Sequence, residues 1–407
     1  MTNTGPVSYD EALRRVVRIA RPTAAEPAPL AESLGRTLRR DVVADRDQPP
    51  FDRSTRDGFA VRSADGAAGA RKVCGNIAAG APASGVSLGP GEAVRIATGA
   101  SLPDGADAVV ALEQAEQVGG NVRLKLEAVE PRQHVHRRAA DAGRSEVVLR
   151  RGTVLQPHHL GIAASVGAMQ VQVAARPRVV VLTSGDEVRP ADTATHDLLP
   201  QQIRNSNGPM VASLVEAMGA QVLYIKHVVD ETDDILPVVD EALSHADCLV
   251  TTGGVSVGQR DRFAALWEML GFRKIVHGVA IQPGKPFFAA DGSQGRPVVL
   301  GLPGNPVSAL VTAHLFVRPL LRRVLRGDSG DDPLPWRRVP LAEPARPGSG
   351  RQLFRAACLA ADGRVSIIPW QGSGDLVHTA AADGLVRLPM QDEPIAAAGE
   401  PVLFLAF

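Results

Sequence analysis

The chain has 407 residues, of which 44% are hydrophobic and 22% charged, a globular composition in a length that normally divides into several domains. Lys plus Arg and Asp plus Glu are 44 each, so no overall positive field favours nucleic acid or an anionic membrane as a partner, and a small-molecule substrate is expected. No run of about 20 apolar residues predicts a membrane span, and the three scattered cysteines form neither a CxxC pair nor a disulfide framework, which fits a cytoplasmic protein.

The first predicted element is a helix over residues 8 to 20. Ser8 and Glu11 have the spacing of a capping box, apolar side chains follow at helical spacing, and Pro22 ends the pattern. Further along, short apolar runs between Gly, Pro and Asp, such as VRIATGA and NVRLKLEAV, predict strands and turns. The amino-terminal third is therefore expected to hold one helix followed by a β-rich domain.

The next part of the chain alternates regularly between strands and helices. The runs PRVVVLTSG, QVLYIKHVV and DCLVTTGG are each followed by a helical segment, and PVSALVTAHLFVRPLLRRVL closes the series as a long apolar helix. Such alternation predicts a mostly parallel sheet with helices on both faces. The last part turns proline-rich and then alternates again in GLVRLP and PVLFLAF, which predicts a small β-domain.

These patterns together predict a multidomain α/β plus β protein. Its centre is an α/β domain with a mostly parallel sheet, accompanied by a β-rich insertion domain and a C-terminal β-barrel-like domain. The predicted domains are an elongated N-terminal and linking domain at 1–47 and 140–176, the β-rich domain at 48–139, the α/β domain at 177–327 and the C-terminal domain at 328–407.

Three loops directly follow predicted strands of the α/β domain. They are SGDE at 184–187, TTGGVSVGQRD at 251–261 and GLPGNP at 301–306. Because open parallel sheets bind ligands at the carboxyl ends of their strands, the three loops are expected to line one edge. The glycines of the middle loop permit positive φ and close backbone approach, which suits a phosphate, although a single glycine-rich loop can equally be a tight corner.

Acidic residues at loop positions are the second feature. Carboxylates beside a phosphate imply a divalent cation, and Mg²⁺ commonly bridges carboxylates to substrate phosphates. Asp230 and Asp261 have helix capping as an alternative role. Lys285, in PGKP, either neutralises an oxyanion or is a surface turn lysine. The acidic candidates are Asp57, Asp141, Glu187, Asp230 and Asp261.

Several other classes of site have no support in the sequence. GVAIQPGKP lacks the spacing and the Ser or Thr of a nucleotide-binding P-loop, and neither GxGxxG after the first strand nor GxSxG occurs, so hydride and acyl transfer are not indicated. The neighbouring histidines His134 and His136, and His158 and His159, lack a third ligand at sensible spacing and are expected to be solvated loop residues.

The motifs TSGDE, TTGGVSVGQRD, PGKP and GLPGNPVSALV, in this order, resemble the molybdopterin molybdenumtransferase family, which includes MoeA and the gephyrin E domain. The resemblance extends to DGFAV, RIATGA and QGSGDL and covers essentially the whole chain. It implies a MogA-like α/β domain and an enzyme that takes adenylylated molybdopterin and molybdate, uses Mg²⁺, and releases AMP and molybdenum cofactor.

The resemblance also implies roles for individual residues. Catalytic roles fall to Asp57, Asp141, Glu187, Asp230, Asp261 and Lys285, and metal binding falls to Asp57, Glu187, Asp230 and Asp261. Contacts to the molybdopterin substrate fall to Thr98, Gly253, Gly254, Ser256, Gly258, Pro303, Gly304, Asn305, Pro306 and Ser373.

The partners implied are a second copy of the chain and, transiently, the molybdopterin adenylyltransferase and molybdoenzymes. In such a homodimer the site is shared between subunits, with Asp57 of one chain facing Glu187 of the other. The sequence departs from the family pattern at Arg56, Ala139, Ala140 and Gln282. These departures keep open a noncatalytic molybdopterin-binding paralogue or scaffold, and the resemblance of the α/β domain to the MogA-type fold keeps open a molybdopterin adenylyltransferase.

Overall fold

The computed structural model describes residues 5–83, 85–228, 232–254, 262–293, 295–327, 334–346, 350–390 and 397–407, with the backbone only for 232–234 and 262. The chain divides into two compact units. The larger unit comprises Met1–Glu26, Gly35–Arg39 and Val173–Phe407, and the smaller unit comprises Pro27–Leu34 and Arg40–Gln172. The finer division into four domains stays a prediction.

The helices follow the predicted segments closely. Short 3₁₀ turns also occur at Leu30–Glu32, Ser63–Asp65, Leu112–Gln114, Thr195–Asp197 and Val377–Ala381. The helices are α1 (Tyr9–Arg18), α2 (Pro157–Ser165), α3 (Asn207–Ala217), α4 (Thr232–His245), α5 (Arg262–Met269), α6 (Pro306–Thr312) and α7 (Arg318–Arg326), the last two joined by a π-helical turn at Ala313–Val317.

The smaller unit is built on a six-stranded sheet in the order β7-β4-β6-β5-β9-β8, with β10 paired to β3 and β11 to β2 outside it. Up to residue 174 the strands are β1 (Ala25–Pro29), β2 (Val42–Val43), β3 (Arg53–Ser54), β4 (Gly58–Val61), β5 (Ala70–Ile77), β6 (Glu92–Ile96), β7 (Ala108–Ala111), β8 (Ala115–Val118), β9 (Asn121–Leu124), β10 (Val135–His136), β11 (Val147–Leu149) and β12 (Gln170–Ala174).

Both faces of this sheet are packed. Phe59 and Val61 point to one apolar cluster and Ala60 to another, because successive side chains of a strand alternate between faces. Val94 and Ile96 of β6 join the second cluster. The expectation of a β-rich domain in this part of the chain is confirmed.

The larger unit contains the predicted central sheet, in the order β16-β13-β17-β21-β20-β18. From residue 178 the strands are β13 (Arg178–Ser184), β14 (Val188–Arg189), β15 (Ile203–Arg204), β16 (Gln221–Val228), β17 (Cys248–Thr252), β18 (Arg273–His277), β19 (Ile281–Gln282), β20 (Phe288–Asp291), β21 (Val298–Leu302), β22 (Arg337–Pro340), β23 (Gln352–Leu359), β24 (Val365–Ile367), β25 (Gly384–Leu388) and β26 (Pro401–Ala406).

The first four strands of the central sheet are parallel. β20 pairs antiparallel with β21, and β18 pairs antiparallel with β20 and so runs in the same direction as the first four. Val179 and Val181 of β13 pack into the cluster formed with α1, α3, α6 and α7, whereas Val180 and Leu182 pack into the one formed with α4 and α5. Helices thus cover both faces, so the predicted α/β architecture is confirmed.

Helix α1 begins as the sequence predicts but with half of the expected cap. The Ser8 side chain accepts a hydrogen bond from the Glu11 N–H, which satisfies one of the free donors of the first turn. The Glu11 carboxylate does not return to Ser8. It instead pairs with Arg14 and Arg15, each at 2.7 Å, on the exposed side of the helix.

The C-terminal sheet has the order β19-β23-β25-β26-β22, with β24 paired to β23. Its strand β19 comes from the segment that ends in PGKP, far earlier in the chain, and pairs parallel with the first residues of β23. The predicted C-terminal β-domain is therefore present, with one strand contributed from outside residues 328–407. Among the described helices, none is long and apolar enough to cross a membrane.

Candidate active site at the carboxyl edge of the central sheet

Three neighbouring strands of the larger unit end side by side. The parallel register places Thr183 of β13 opposite Thr252 of β17, and Thr252 opposite Leu302 of β21. The loops that follow these strands therefore leave the sheet at one edge. The described parts of the three predicted loops lie there, and we call this edge the carboxyl rim.

Gly253 lies between the first and third loops of the carboxyl rim. Its N–H donates to the Leu302 carbonyl at 3.2 Å. A Cβ at this position would lie 2.6 Å from the Ser184 carbonyl oxygen, and φ is +84°. A Cβ at Gly304 would in turn lie 3.5 Å from the Gly253 Cα. Only glycine fits at 253, and its contribution is close backbone approach because its N–H is already engaged.

Ser184, at the end of β13, carries a buried hydroxyl with no hydrogen-bond partner among the described residues. A Cβ placed on Gly253 would lie 2.9 Å from this oxygen, and one placed on Gly254 would lie 3.2 Å from it. The hydroxyl therefore borders the glycine loop. A buried polar atom without a partner costs free energy, which a bound ligand would recover by hydrogen bonding.

Backbone donors are also free on this rim. Within the described part of the chain, the backbone N–H groups of Gly254, Gly304 and Asn305 donate no hydrogen bond. Asn305 directly precedes α6, where the first N–H groups of a helix lack partners within the helix. Such groups attract an anion because their dipoles point outward.

The third loop is held from two sides. The Asn305 side chain donates to the Ser373 hydroxyl at 2.9 Å, and the Val307 N–H donates to the Ser373 carbonyl at 3.0 Å. Pro303 is buried beneath the loop, and Pro306 opens α6, where its missing N–H costs nothing. Ser373, which lies far away in sequence, is thus brought to the loop that the resemblance assigned to the same pocket.

Two asparagines on the carboxyl rim, Asn205 and Asn207, were not predicted from the sequence as site residues. Asn207 donates to the Gly304 carbonyl at 2.7 Å, and its own side-chain oxygen is buried without a partner among the described residues. Asn205 donates to the Thr183 hydroxyl at 2.8 Å, and that hydroxyl lies 3.1 Å from His227 Nδ1. The polar run RNSN just before α3 was the available signal, since asparagine is typical of such turns.

Glu187 belongs to one of the three loops of the carboxyl rim, whereas Lys285 does not. Glu187 is exposed on the first loop, with its carboxylate 3.1 Å from where a Cβ on Gly185 would lie. Lys285 is exposed between β19 and β20, next to Gly284, which packs against Thr312 of α6. No side-chain hydrogen bond or ion pair of Lys285 occurs among the described residues, so its amine is available to a substrate.

The smaller unit brings Asp57 and Thr98 together. The Asp57 carboxylate accepts from the Thr98 N–H at 2.8 Å, and its carbonyl accepts from the Leu112 N–H at 3.0 Å. Asp57 itself is exposed at the start of β4. The aspartate is therefore held through one carboxylate oxygen while the residue stays exposed.

Asp141 is paired with a histidine that the sequence analysis expected to be merely solvated. Nε2 of His136 lies 2.9 Å from one carboxylate oxygen, and Arg53 lies 3.9 Å from the other. All three side chains are partly exposed, so the pairing contributes little stability. The pairing orients Asp141. The spacing of the histidines in the sequence did not predict that His136 contacts this aspartate.

Three family models match successive parts of the chain. The "MoeA N-terminal region (domain I and II)" matches residues 7–167, the "Probable molybdopterin binding domain" matches 180–323, and the "MoeA C-terminal region (domain IV)" matches 338–407. The chain is 34% identical over 391 residues to the molybdopterin molybdenumtransferase of Synechococcus elongatus, covering 94% of each. The chain belongs to the MoeA family of molybdopterin molybdenumtransferases.

Other relatives agree with this membership. The molybdopterin molybdenumtransferase of Bacillus subtilis is 37% identical over 333 residues, 80% of this chain and 76% of its own length. The MoeA protein of Pyrococcus horikoshii OT3 has a similar solved structure, with a TM-score of 0.86 at 25% identity over 99% of this chain and all of its own. This chain is accordingly a transferase of molybdenum cofactor biosynthesis.

Two of the four metal ligands that the family resemblance implies, Asp230 and Asp261, lie outside the described residues. The implied substrate contacts Ser256 and Gly258 lie outside them as well. Across the described ranges, no three His, Cys, Asp or Glu side chains gather as a metal site would require. The described residues alone therefore do not form a Mg²⁺ site.

Proposed function

We propose that this chain inserts molybdenum from molybdate into adenylylated molybdopterin, in a Mg²⁺-dependent reaction that releases AMP and molybdenum cofactor. Family membership supports the class of reaction. The observation that carries the rest is the set of donors on the carboxyl rim that have no partner among the described residues, namely the Ser184 hydroxyl and the N–H groups of Gly254, Gly304 and Asn305.

The charges of the substrates explain why such donors are needed. Molybdate is a dianion and must approach an adenylylated phosphate that is itself anionic, so the two reactants repel each other. Fixed N–H and O–H donors lower that repulsion without having to reorganise during the reaction, and the charged amine of Lys285 would lower it further. Cleavage of the phosphoric anhydride then supplies the driving force for exchanging the oxygen ligands of molybdate for the dithiolene sulfurs.

The direct test is AMP release. Purified protein is mixed with adenylylated molybdopterin, molybdate and Mg²⁺, and AMP is followed by chromatography. The proposal requires AMP in proportion to molybdenum cofactor formed, loss of release with a chelator, and recovery on adding Mg²⁺. Tight molybdopterin binding without AMP would contradict it and indicate a noncatalytic paralogue. Adenylylation of molybdopterin from ATP would indicate an adenylyltransferase instead.

The Ser184→Ala variant tests the rim itself. Removing a buried hydroxyl that has no protein partner should leave the urea unfolding midpoint nearly unchanged, whereas losing one hydrogen bond to the substrate should lower kcat/KM for AMP release about tenfold. Ser244→Ala, on the exposed side of α4, is the control and should change neither quantity. Wild-type kcat/KM in Ser184→Ala would remove this hydroxyl from the proposed site.

A further inference from the structure

A cavity of about 590 Å³ lies in the larger unit, away from the carboxyl rim. Its lining includes the first residues of four neighbouring parallel strands, Arg178, Gln221, Cys248 and Val298. Parallel strands start at one edge of a sheet and end at the opposite edge. The cavity therefore occupies the amino edge of the central sheet, and the motifs of the candidate active site contribute nothing to it.

The floor of this cavity is apolar. It is formed by Val298 of β21 and by Leu320, Leu321 and Val324 of α7, all buried. Cys248 adds a thiol whose pKa is raised to about 12 by burial, so the sulfur stays protonated and uncharged at neutral pH. This surface suits a hydrocarbon or aromatic group and offers it no hydrogen bonds.

The wall of the cavity is basic. Four arginines stand against two carboxylates, which leaves a formal charge of 4 − 2 = +2 on the lining. The side chains of Arg21 and Arg178 are 42% and 49% exposed, so they stand at the mouth above the buried floor. The four arginines are Arg21, Arg176, Arg178 and Arg296, and the carboxylates are Glu26 and Asp247.

Much of the donor capacity of these arginines is unused. Each guanidinium carries five N–H groups. Arg178 donates from Nε and Nη2 to Asp247, at 3.3 and 3.1 Å, which leaves Nη1 free within the described part of the chain. Arg296 donates from Nη1 to the Leu270 carbonyl and lies 4.2 Å from the centre of the Phe272 ring. Arg176 is exposed and makes no side-chain bond among the described residues.

We propose that this cavity is a second ligand site, specific for a small organic phosphate. Its phosphate group would be bound by Arg176 and by the free edge of Arg178, and its apolar body would lie on Leu320 and Leu321. The volume falls in the range of sites that enclose small molecules, about 300 to 1,000 Å³, and an apolar floor with a few convergent polar groups is their usual composition. Guanidinium groups bind phosphate in a bidentate manner, which gives the selectivity.

The experiment uses phenyl phosphate as the probe, with isothermal titration calorimetry of the full chain. Wild type should bind it with a Kd on the order of 1 mM or below, and Arg176→Ser should weaken binding about tenfold, because one charge-assisted contact is lost. Arg176→Glu should abolish binding. Arg337→Ser, an exposed arginine of β22 that does not line the cavity, is the matched control and should bind as wild type does.

Two comparisons separate this site from the carboxyl rim. Ser184→Ala should leave the binding of phenyl phosphate unchanged, and Arg176→Ser should leave AMP release unchanged, since the cavity and the rim lie at opposite edges of the sheet. Benzyl alcohol, a neutral analogue of similar size, should show no binding. Far-UV circular dichroism confirms that each variant is folded.

Three results would overturn the proposal. The first is no detectable binding of phenyl phosphate to wild type at millimolar concentration. The second is binding that Ser184→Ala weakens and Arg176→Ser does not, which would place the probe on the carboxyl rim. The third is equal binding of benzyl alcohol, which would show that the arginines contribute no selectivity.

Discussion

Gly58 decides the geometry around Asp57 by having no side chain. Strand β4 passes so close to β7 that a Cβ on Gly58 would lie 2.0 Å from the Val110 carbonyl oxygen. The adjacent Asp57 carboxylate is held by the Thr98 N–H, and its position depends on that close approach of the two strands. Packing at this point leaves no space for a methyl group.

Gly58→Ala should therefore destabilise the chain strongly. Moving β4 away from β7 disrupts a packed core, and we expect the free energy of unfolding to fall by at least about 2 kcal/mol. Gly120→Ala is the control, because a Cβ on Gly120, in the turn between β8 and β9, meets nothing within 4 Å. Urea denaturation measures both. Equal midpoints for the two variants would contradict the close approach.

At this scale the sequence predicts some features and hides others. The glycine-rich loop after β17 was visible because only glycine readily adopts positive φ, as at Gly253 and Gly254. The buried hydroxyl of Ser184 and the bridge from Asn207 to Gly304 were not visible. Both depend on which strands become neighbours, and a local pattern does not carry that information.

The helix formed by α6, its π-helical turn and α7 contains an interruption that helical periodicity does not show. Pro319 has no N–H for the Leu315 carbonyl and would clash with it in a regular helix, which accounts for a π-helical turn at Ala313–Val317. Within this turn His314 is buried, with both ring nitrogens unpartnered among the described residues, and it stacks on Phe407 with the ring centres 4.5 Å apart.

Burial, and to a lesser extent the charge of Arg318, lowers the pKa of His314 to about 3. The folded state thus holds this ring neutral while the unfolded chain binds a proton below about pH 6.5. The unfolded state then binds more protons, so stability decreases as the pH falls through this window. Between pH 7 and 5 the loss due to His314 is about 2 kcal/mol.

His314→Phe should reduce this acid sensitivity, because a phenyl ring retains the stacking on Phe407 and cannot be protonated. We expect the decrease in unfolding free energy between pH 7 and 5 to be about 2 kcal/mol smaller than in wild type. The exposed His245→Phe should not change the slope. Parallel pH profiles of wild type and His314→Phe would contradict this assignment, because they would show that His314 takes up its proton over the same pH range in the folded and unfolded states.

Element order was the best-predicted level of this structure. Helical spacing and apolar runs located α1, β13, β16 and β17 to within a few residues and placed a helix after each of these three strands, since these elements are strongly patterned. Strand direction was predicted only in part. β20 runs antiparallel to the other strands of the central sheet, and β19 joins a different sheet, because these choices depend on short connections and on tertiary packing.

At the scale of the whole molecule, the residues assigned to catalysis and to substrate binding divide between the two compact units. Asp57, Thr98 and Asp141 belong to the smaller unit, and Glu187 with the glycine loop belongs to the larger one. We propose that the enzyme is a homodimer in which each site takes Asp57 from one subunit and Glu187 from the other. A two-fold axis then generates two equivalent sites.

Mixing two inactive variants tests this arrangement. Asp57→Ala and Glu187→Ala should each lose AMP release as homodimers. After the subunits exchange, half of the dimers are mixed and each mixed dimer has one intact site of two, so about one quarter of the wild-type activity should return. Sedimentation confirms that dimers form. If the mixture stays inactive while mixed dimers are present, each subunit carries its own complete site.

The pairing of β19 limits where the chain can be divided into stable fragments. Residues 281 and 282 belong to the α/β segment of the chain but pair with β23. The C-terminal sheet thus includes a strand from a stretch that precedes two strands of the central sheet, β20 and β21. Cutting the chain near residue 327 would split one sheet between two fragments and leave β23 with an exposed edge. Residues 328–407 thus do not contain the whole C-terminal sheet. A chimaera that exchanges this region between relatives must also include the segment from β19 to PGKP.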